Sequence, residues 1–118
     1  MTRPFEVDVG YDPTGRVCVV ALAGKLDPPA CEVLEPELNA RVAAGCRHFV
    51  LDLSGLRYVG SLGLRAFVAL ANRVRGEGAV AACGLTGGVR EVFDMTKMGA
   101  VLRIYATRAD AVDAVVSR

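Results

Sequence analysis

Phe5-Glu6-Val7-Asp8-Val9 alternates apolar and polar residues, the period-two pattern of a half-exposed strand. Gly10 to Gly15, with Asp12-Pro13 and Thr14-Gly15 inside it, reads as a turn. Arg16 to Ala23 is a denser apolar run, predicted to be a more central strand paired antiparallel with the first as a hairpin. Asp27 followed by Pro28 reads as an N-cap with proline in the first helical turn. The helix predicted from Pro28 to Ala44 places Val33, Leu34, Leu38 and Val42 on one face and stops at Gly45. Pro36 interrupts it, so the helix is expected either to kink or to divide near Glu35.

The remainder alternates strand and helix. Arg47 to Leu53 is a strand closed by a Ser54-Gly55 turn signal, and a helix runs from Ser61 to Arg75 with Leu64, Phe67, Val68, Leu70, Ala71 and Val74 at helical spacing. Ala79 to Cys83 is a strand, Gly88 to Lys97 a helix, Val101 to Tyr105 a strand, and Arg108 to Val116 a helix capped by Thr107. The predicted class is α/β: a mixed four- to five-stranded sheet with an N-terminal hairpin and helices packed against it. No linker or repeat divides the 118 residues, so one domain covering 1–118, with a core of about 5–116, is expected.

Composition narrows the function. A net charge of +1 with scattered arginines gives no electrostatic footprint for nucleic acid, which is not expected as a partner. No apolar run approaches the ~20 residues of a membrane span, and Met1-Thr2-Arg3-Pro4 leads into a strand without a signal-peptide core. The expected compartment is the cytoplasm. Cys18, Cys31, Cys46 and Cys83 are far apart and form no Cys-x-x-Cys pair, so neither a metal site nor a structural disulfide is expected.

Ser61 carries the most informative chemistry. It stands at the expected N-cap of a helix, where open backbone N–H groups and the helix dipole favour a phosphate. Capping alone is the commoner role for a serine in that place. A hydrolase elbow fails, because Val59 stands where a glycine is needed and the one histidine, His48, begins a strand. Gly84-Leu85-Thr86-Gly87-Gly88 lacks the lysine and spacing of a phosphate loop, and is better read as a turn with Thr86 as cap. Asp52 in a strand and Asp27 at a cap have no acidic neighbour with which to hold a cation. No catalytic set, cofactor site or metal site is expected, and the chain is read as a non-enzyme.

Taken together, Gly24-Lys25-Leu26-Asp27, Val50-Leu51-Asp52-Leu53-Ser54-Gly55-Leu56, Val59-Gly60-Ser61-Leu62-Gly63-Leu64 and Val89 to Thr96 resemble, in order, the motifs of a STAS domain, the fold of bacterial anti-sigma-factor antagonists. The resemblance runs from about Phe5 to Val116. It implies a protein that binds an anti-sigma factor acting as a serine kinase and is released when Ser61 is phosphorylated, with a serine phosphatase resetting the switch. Asp27, Tyr58, Gly60, Ser61, Leu62, Gly63, Arg65, Phe93 and Met95 are the expected partner-contacting residues, with Met98 beside the last two; for Phe93, Met95 and Met98 a core role is the default reading of a helical stripe. Arg65, one turn beyond Ser61, is placed to pair with the phosphate. In two places the chain departs from the family motif: Gly60 replaces an acidic residue and Leu62 a serine or threonine. The alternative implied by the same fold is a constitutive interaction module in a signalling scaffold or lipid-transport complex. A monomer or weak dimer is expected.

Overall fold

A computed structural model describes residues 4–116; the Met1–Arg3 stretch and the outer limits of the expected 1–118 domain lie outside the described residues. Five strands and four α-helices alternate after an N-terminal hairpin: β1 Glu6–Tyr11, β2 Cys18–Leu26, α1 Pro28–Ala43, β3 His48–Val59, α2 Ser61–Val74, β4 Ala79–Cys83, α3 Gly87–Met95, β5 Arg103–Tyr105 and α4 Arg108–Val116. A single 3-10 turn, Met98–Ala100, precedes β5 and shortens it relative to the expected Val101–Tyr105. The strands form one sheet in the order β1-β2-β3-β4-β5, with β1 antiparallel to β2 and every other pairing parallel.

The hairpin turn is organised by Asp12. Its carboxylate accepts from the Thr14 hydroxyl at 2.6 Å and from the Val17 N–H at 2.9 Å, closing the Asp-Pro-Thr-Gly stretch into a self-satisfied turn. Alternation then divides β2 between two cores. Cys18, Val20 and Leu22 face α1, α2 and α3, while Val17 and Val19 face the opposite layer, which is α4. β3 is buried on both sides in the same way: Phe49, Leu51 and Leu53 enter the larger core and Val50 the smaller one.

The predicted turn at Ser54-Gly55 is instead the middle of β3. Ala21 pairs with Asp52 but Ala23 with Gly55, and Gly24 pairs with Leu56 but Lys25 with Tyr58, so β3 carries one extra residue at each of two places. These are β-bulges, which use the small flexible residues that elsewhere mark turns. Gly55 is required by close approach, since a Cβ there would lie 3.0 Å from the Ala23 Cβ and 3.1 Å from the Leu22 carbonyl oxygen. Beyond the bulges the buried positions are Leu56 and Val59, three apart, and strict alternation is lost.

α1 is one helix through Pro36, neither split nor stopped there. Pro36 is exposed, so the carbonyl deprived of its helical partner faces water. Its buried stripe is Ala30, Cys31, Leu34, Leu38 and Val42; Val33, expected on that face, is 52% exposed. Asp27 caps the helix as predicted, accepting from the Ala30 N–H at 3.1 Å, with prolines in the first turn. Thr107 likewise caps α4, accepting from the Asp110 N–H at 3.1 Å. Thr86 is the N-cap residue of α3, as expected, but its side chain makes no cap bond.

α4 is tied to the sheet through Asp52. Its Oδ2 accepts from Arg108 Nη2 at 2.7 Å and Nε at 2.9 Å, and its Oδ1 from the Ser54 hydroxyl at 2.8 Å and N–H at 3.1 Å. Burial opposes the charge, but the Ser54 donors and the Arg108 guanidinium outweigh it and hold the carboxyl below its usual range. A carboxylate with a depressed folded-state pKa adds stability that is complete above the unfolded value of about 3.9 and is lost as pH falls through the folded value. Asp52→Asn is therefore expected to lower unfolding free energy by about 1–2 kcal/mol at neutral pH. Denaturant titrations at a series of pH values should show that difference shrinking below about pH 4. Gly55→Val tests the bulge: a loss of about 1–3 kcal/mol is expected from overpacking against β2, read as a lower urea midpoint at unchanged slope.

Candidate functional site

The C-terminal ends of β2 and β3 lie side by side, with Leu26 paired to Val59 and Lys25 to Tyr58. Each strand passes directly into a helix, β2 through Asp27 into α1 and β3 through Gly60 into α2. Two helix N-termini thus open on the same edge of the sheet, as parallel α/β connections dictate. The Gly60 N–H donates to the Leu26 carbonyl at 3.2 Å, which fixes the exit of β3 against that of β2.

Ser61 is not the cap of α2 but its first helical residue. Gly60 is the cap: its backbone is extended and its carbonyl accepts from the Leu64 N–H at 3.1 Å, the first bond of the helix. The shift by one residue follows from β3 running unbroken to Val59, which leaves one residue for the change of direction. A glycine cap supplies no side-chain acceptor, and α2 has no acidic residue in its first turn. The leading N–H groups of α2 thus receive no side-chain cap, and the positive end of the helix dipole lies beside the exposed Ser61.

Gly60 also makes room for Tyr58. A Cβ at Gly60 would stand 3.1 Å from the Tyr58 hydroxyl oxygen, so the ring lies over the cap. Tyr58 is 49% exposed and Leu62 40% exposed, which places two apolar bodies around the serine. Arg65 is exposed one turn further along α2, and lines the groove between α1 and α2 with Glu35 and Asn39. On the other side, Lys25, Asp27 and Val33 line a shallow depression of about 450 Å³ with Phe5 and Pro29.

Three expected contact residues do not reach this surface. Phe93 is 1% exposed and packs on Phe67 with ring centroids 6.3 Å apart, so it belongs to the core between α2 and α3. Met98 is buried beside it. Gly63 is buried as well: a Cβ there would lie 2.7 Å from Leu26 Cδ2 and 2.9 Å from Val59 Cγ2, so it seats α2 on the two strand ends and is no surface contact. Met95 is 81% exposed, at the C-terminal end of α3. Sequence reasoning missed Lys25 and Val33 as neighbours of Asp27; their exposure follows from the strand end and from the true buried stripe of α1.

His48 begins β3, at the end of the strand remote from Ser61, and its Nδ1 is buried without a hydrogen-bond partner. It is in no position to serve the serine as a base. Among the described residues, no three His, Cys, Asp or Glu side chains gather in a way that would hold a metal ion. No helix among them is long and apolar enough to cross a membrane.

A family model described as Mlab, STAS domain, matches residues 9–104. A Bordetella bronchiseptica protein named as an anti-sigma factor antagonist, BtrV, is 34% identical over 101 residues, covering 85% of this chain and 87% of its own. The crystal structure of an anti-sigma factor antagonist from Mycobacterium paratuberculosis superposes with a TM-score of 0.89 at 25% identity, covering 98% of this chain and 99% of that one. The Bacillus cell fate determinant SpoIIAA in its phosphorylated form shares the fold at a TM-score of 0.70 and 20% identity, covering 95% and 99% of the two chains. The sheet order, the N-terminal hairpin, the matched family model and these relatives agree: the chain belongs to the STAS domain family, among relatives named as anti-sigma factor antagonists.

Proposed function

We propose that this chain is an anti-sigma-factor antagonist that binds a kinase-type anti-sigma factor through the Tyr58–Arg65 surface and is released when Ser61 is phosphorylated. The observation that carries the proposal is the exposed Ser61 hydroxyl on the first turn of a helix whose capping residue has no side chain. The phosphorylated relative SpoIIAA supports it as a precedent within the fold. In the unmodified state, Tyr58 and Leu62 supply the apolar anchor that a protein partner buries, with Arg65 and Asp27 as polar contacts on either side. Phosphorylation places about −1.5 to −2 charges amid those anchors. The free domain tolerates that charge, because the open N–H groups of α2 and the Arg65 guanidinium one turn on can answer it. A partner that had packed on the uncharged surface meets desolvation and repulsion instead.

A cost of ~2–3 kcal/mol in binding corresponds to a roughly 30- to 150-fold weaker complex. A serine phosphatase would restore the original state. Leu62 favours a second reading, a constitutive STAS module of a scaffold or lipid-transport complex. An exposed leucine beside the serine enlarges the permanent apolar contact, which a switch does not require.

The deciding experiment measures binding to the kinase-type anti-sigma factor encoded nearest the gene for this protein. Wild type and Ser61→Ala should bind alike, Ser61→Asp at least about tenfold more weakly, and ATP should place phosphate on Ser61 of the wild type alone. Equal affinity of all three, with Ser61 unmodified, would leave the constitutive module. Tyr58→Ala separates surface from switch: it should weaken binding by about 1–2 kcal/mol while Ser61 chemistry in the free chain is unchanged.

A further inference from the structure

A sheet with parallel pairings is normally covered by helices on both faces. Here α1, α2 and α3 share one face, and among the described residues α4 alone lies on the other, packed over β3, β4 and β5. The strip of β1 and β2 beside α4 is left open. Val7 and Val9 turn toward the larger core, so Glu6, Asp8 and Gly10 stand on the α4 side, all three exposed. A trough of about 590 Å³ results between the hairpin and the flank of α4. Gly10, Val19 and Ala21 form its floor, and Ala109 and Val112, three apart on α4, form its far wall. Side chains this small allow another backbone to approach the sheet closely.

The trough is also acidic. Asp8 stands exposed at its edge, and Asp12 lines its hairpin end. The Thr14 hydroxyl holds the Asp12 carboxyl below its usual range against the effect of burial, so that group is ionised at neutral pH. Arg108, the cation among the lining residues, is spent on Asp52, to whose Oδ2 its Nη2 and Nε both donate. An occupant therefore meets apolar surface flanked by negative charge. A second copy does not suit it: β1 would bring Glu6 and Asp8 against the same residues of its mate, and α4 carries Asp110 and Asp113 along its length. We propose that the trough is a docking site for an amphipathic helix of another protein, with apolar residues seated on Gly10, Ala21 and Val112 and lysines or arginines turned toward Asp8 and Asp12.

The dimensions agree. From Asp8 to Tyr11 the edge strand runs about 10 Å at about 3.4 Å per residue, and two turns of α-helix rise about 11 Å. Apolar anchors at i, i+3, i+4 and i+7 fill that length. The chain as a whole carries a net charge of only +1, so its attraction for a basic helix is local to the trough. Ser61 opens at the C-terminal ends of β2 and β3, at the head of a helix that packs on the opposite face of the sheet. The two surfaces can be occupied together, and a protein held in the trough stays bound whether or not Ser61 is modified.

The test titrates the full, nitrogen-15-labelled chain with a synthetic peptide of about 15 residues, long enough to form helix, and follows the backbone amide spectrum. The peptide is built from leucine and lysine, with leucines at i, i+3, i+4 and i+7. Saturable shifts are expected at Gly10, Ala21, Ala109 and Val112, and none at Leu62 or Arg65. A scrambled peptide of the same composition, and one with glutamate in place of lysine, should each bind at least about tenfold more weakly. A Cβ at Gly10 meets nothing within 4 Å, so Gly10→Phe is expected to fold, fill the trough and abolish binding. Asp8→Lys, at an exposed position, should weaken binding at least about tenfold. The proposal is overturned if no shifts appear at millimolar peptide, if the scrambled peptide binds equally, or if Gly10→Phe binds like wild type. It is also overturned if phenethylammonium alone gives the same shifts at the same concentration, which marks a small-cation pocket. Sedimentation showing a dimer that Gly10→Phe dissolves would overturn it too, since a second copy would then be the occupant.

Discussion

The parallel pairing of β2 with β3 is the constraint on which the rest of this molecule depends. β3 is buried on both faces over its first half, so its register against β2 cannot slip without exchanging the contents of two cores. The same pairing continues to Leu26 and Val59, where the strands release their helices together. The position of Ser61 is therefore set by strand register, and Gly63 then fixes α2 by admitting Leu26 and Val59 where any side chain would intrude. A surface that looks like a loop feature in sequence is held by the stiffest part of the domain.

How much of this was legible follows from how local each cause is. The hairpin, the alternation of strand and helix, the Asp27 and Thr107 caps and the exposed serine were readable, because periodicity and capping act within a few residues. The length of β3 was not. Ser54-Gly55 has the composition of a turn, and only the proximity of Ala23 and Leu22 makes it a bulge. The cap of α2 moved to Gly60 for the same reason, since the strand used residues the sequence assigned to a loop. Phe93 and Met95 illustrate a second limit. Two residues apart on one short helix, one is core and the other is the most exposed of the large apolar side chains identified here, and the stripe itself does not say which face meets the sheet.

The electrostatics divide along the same axis. Both depressed carboxyls serve structure: Asp12 closes the hairpin turn, and Asp52 binds Arg108 and Ser54 beneath α4. Around Ser61, by contrast, the helix end is left without a carboxylate, and its donors are unspent. α3 also begins without a side-chain cap bond, but α2 is the helix whose first turn carries an exposed serine.

The two extra residues of β3 have a consequence of their own. Together they act as a phase shifter between a buried half-strand and a half-strand that serves the surface. From the Ala21–Asp52 pair to the Leu26–Val59 pair β3 spends two residues more than β2, and the bulges absorb that surplus as bends, so exposed Lys25 still faces exposed Tyr58, buried Leu26 still faces buried Val59, and the two strands release α1 and α2 level with each other.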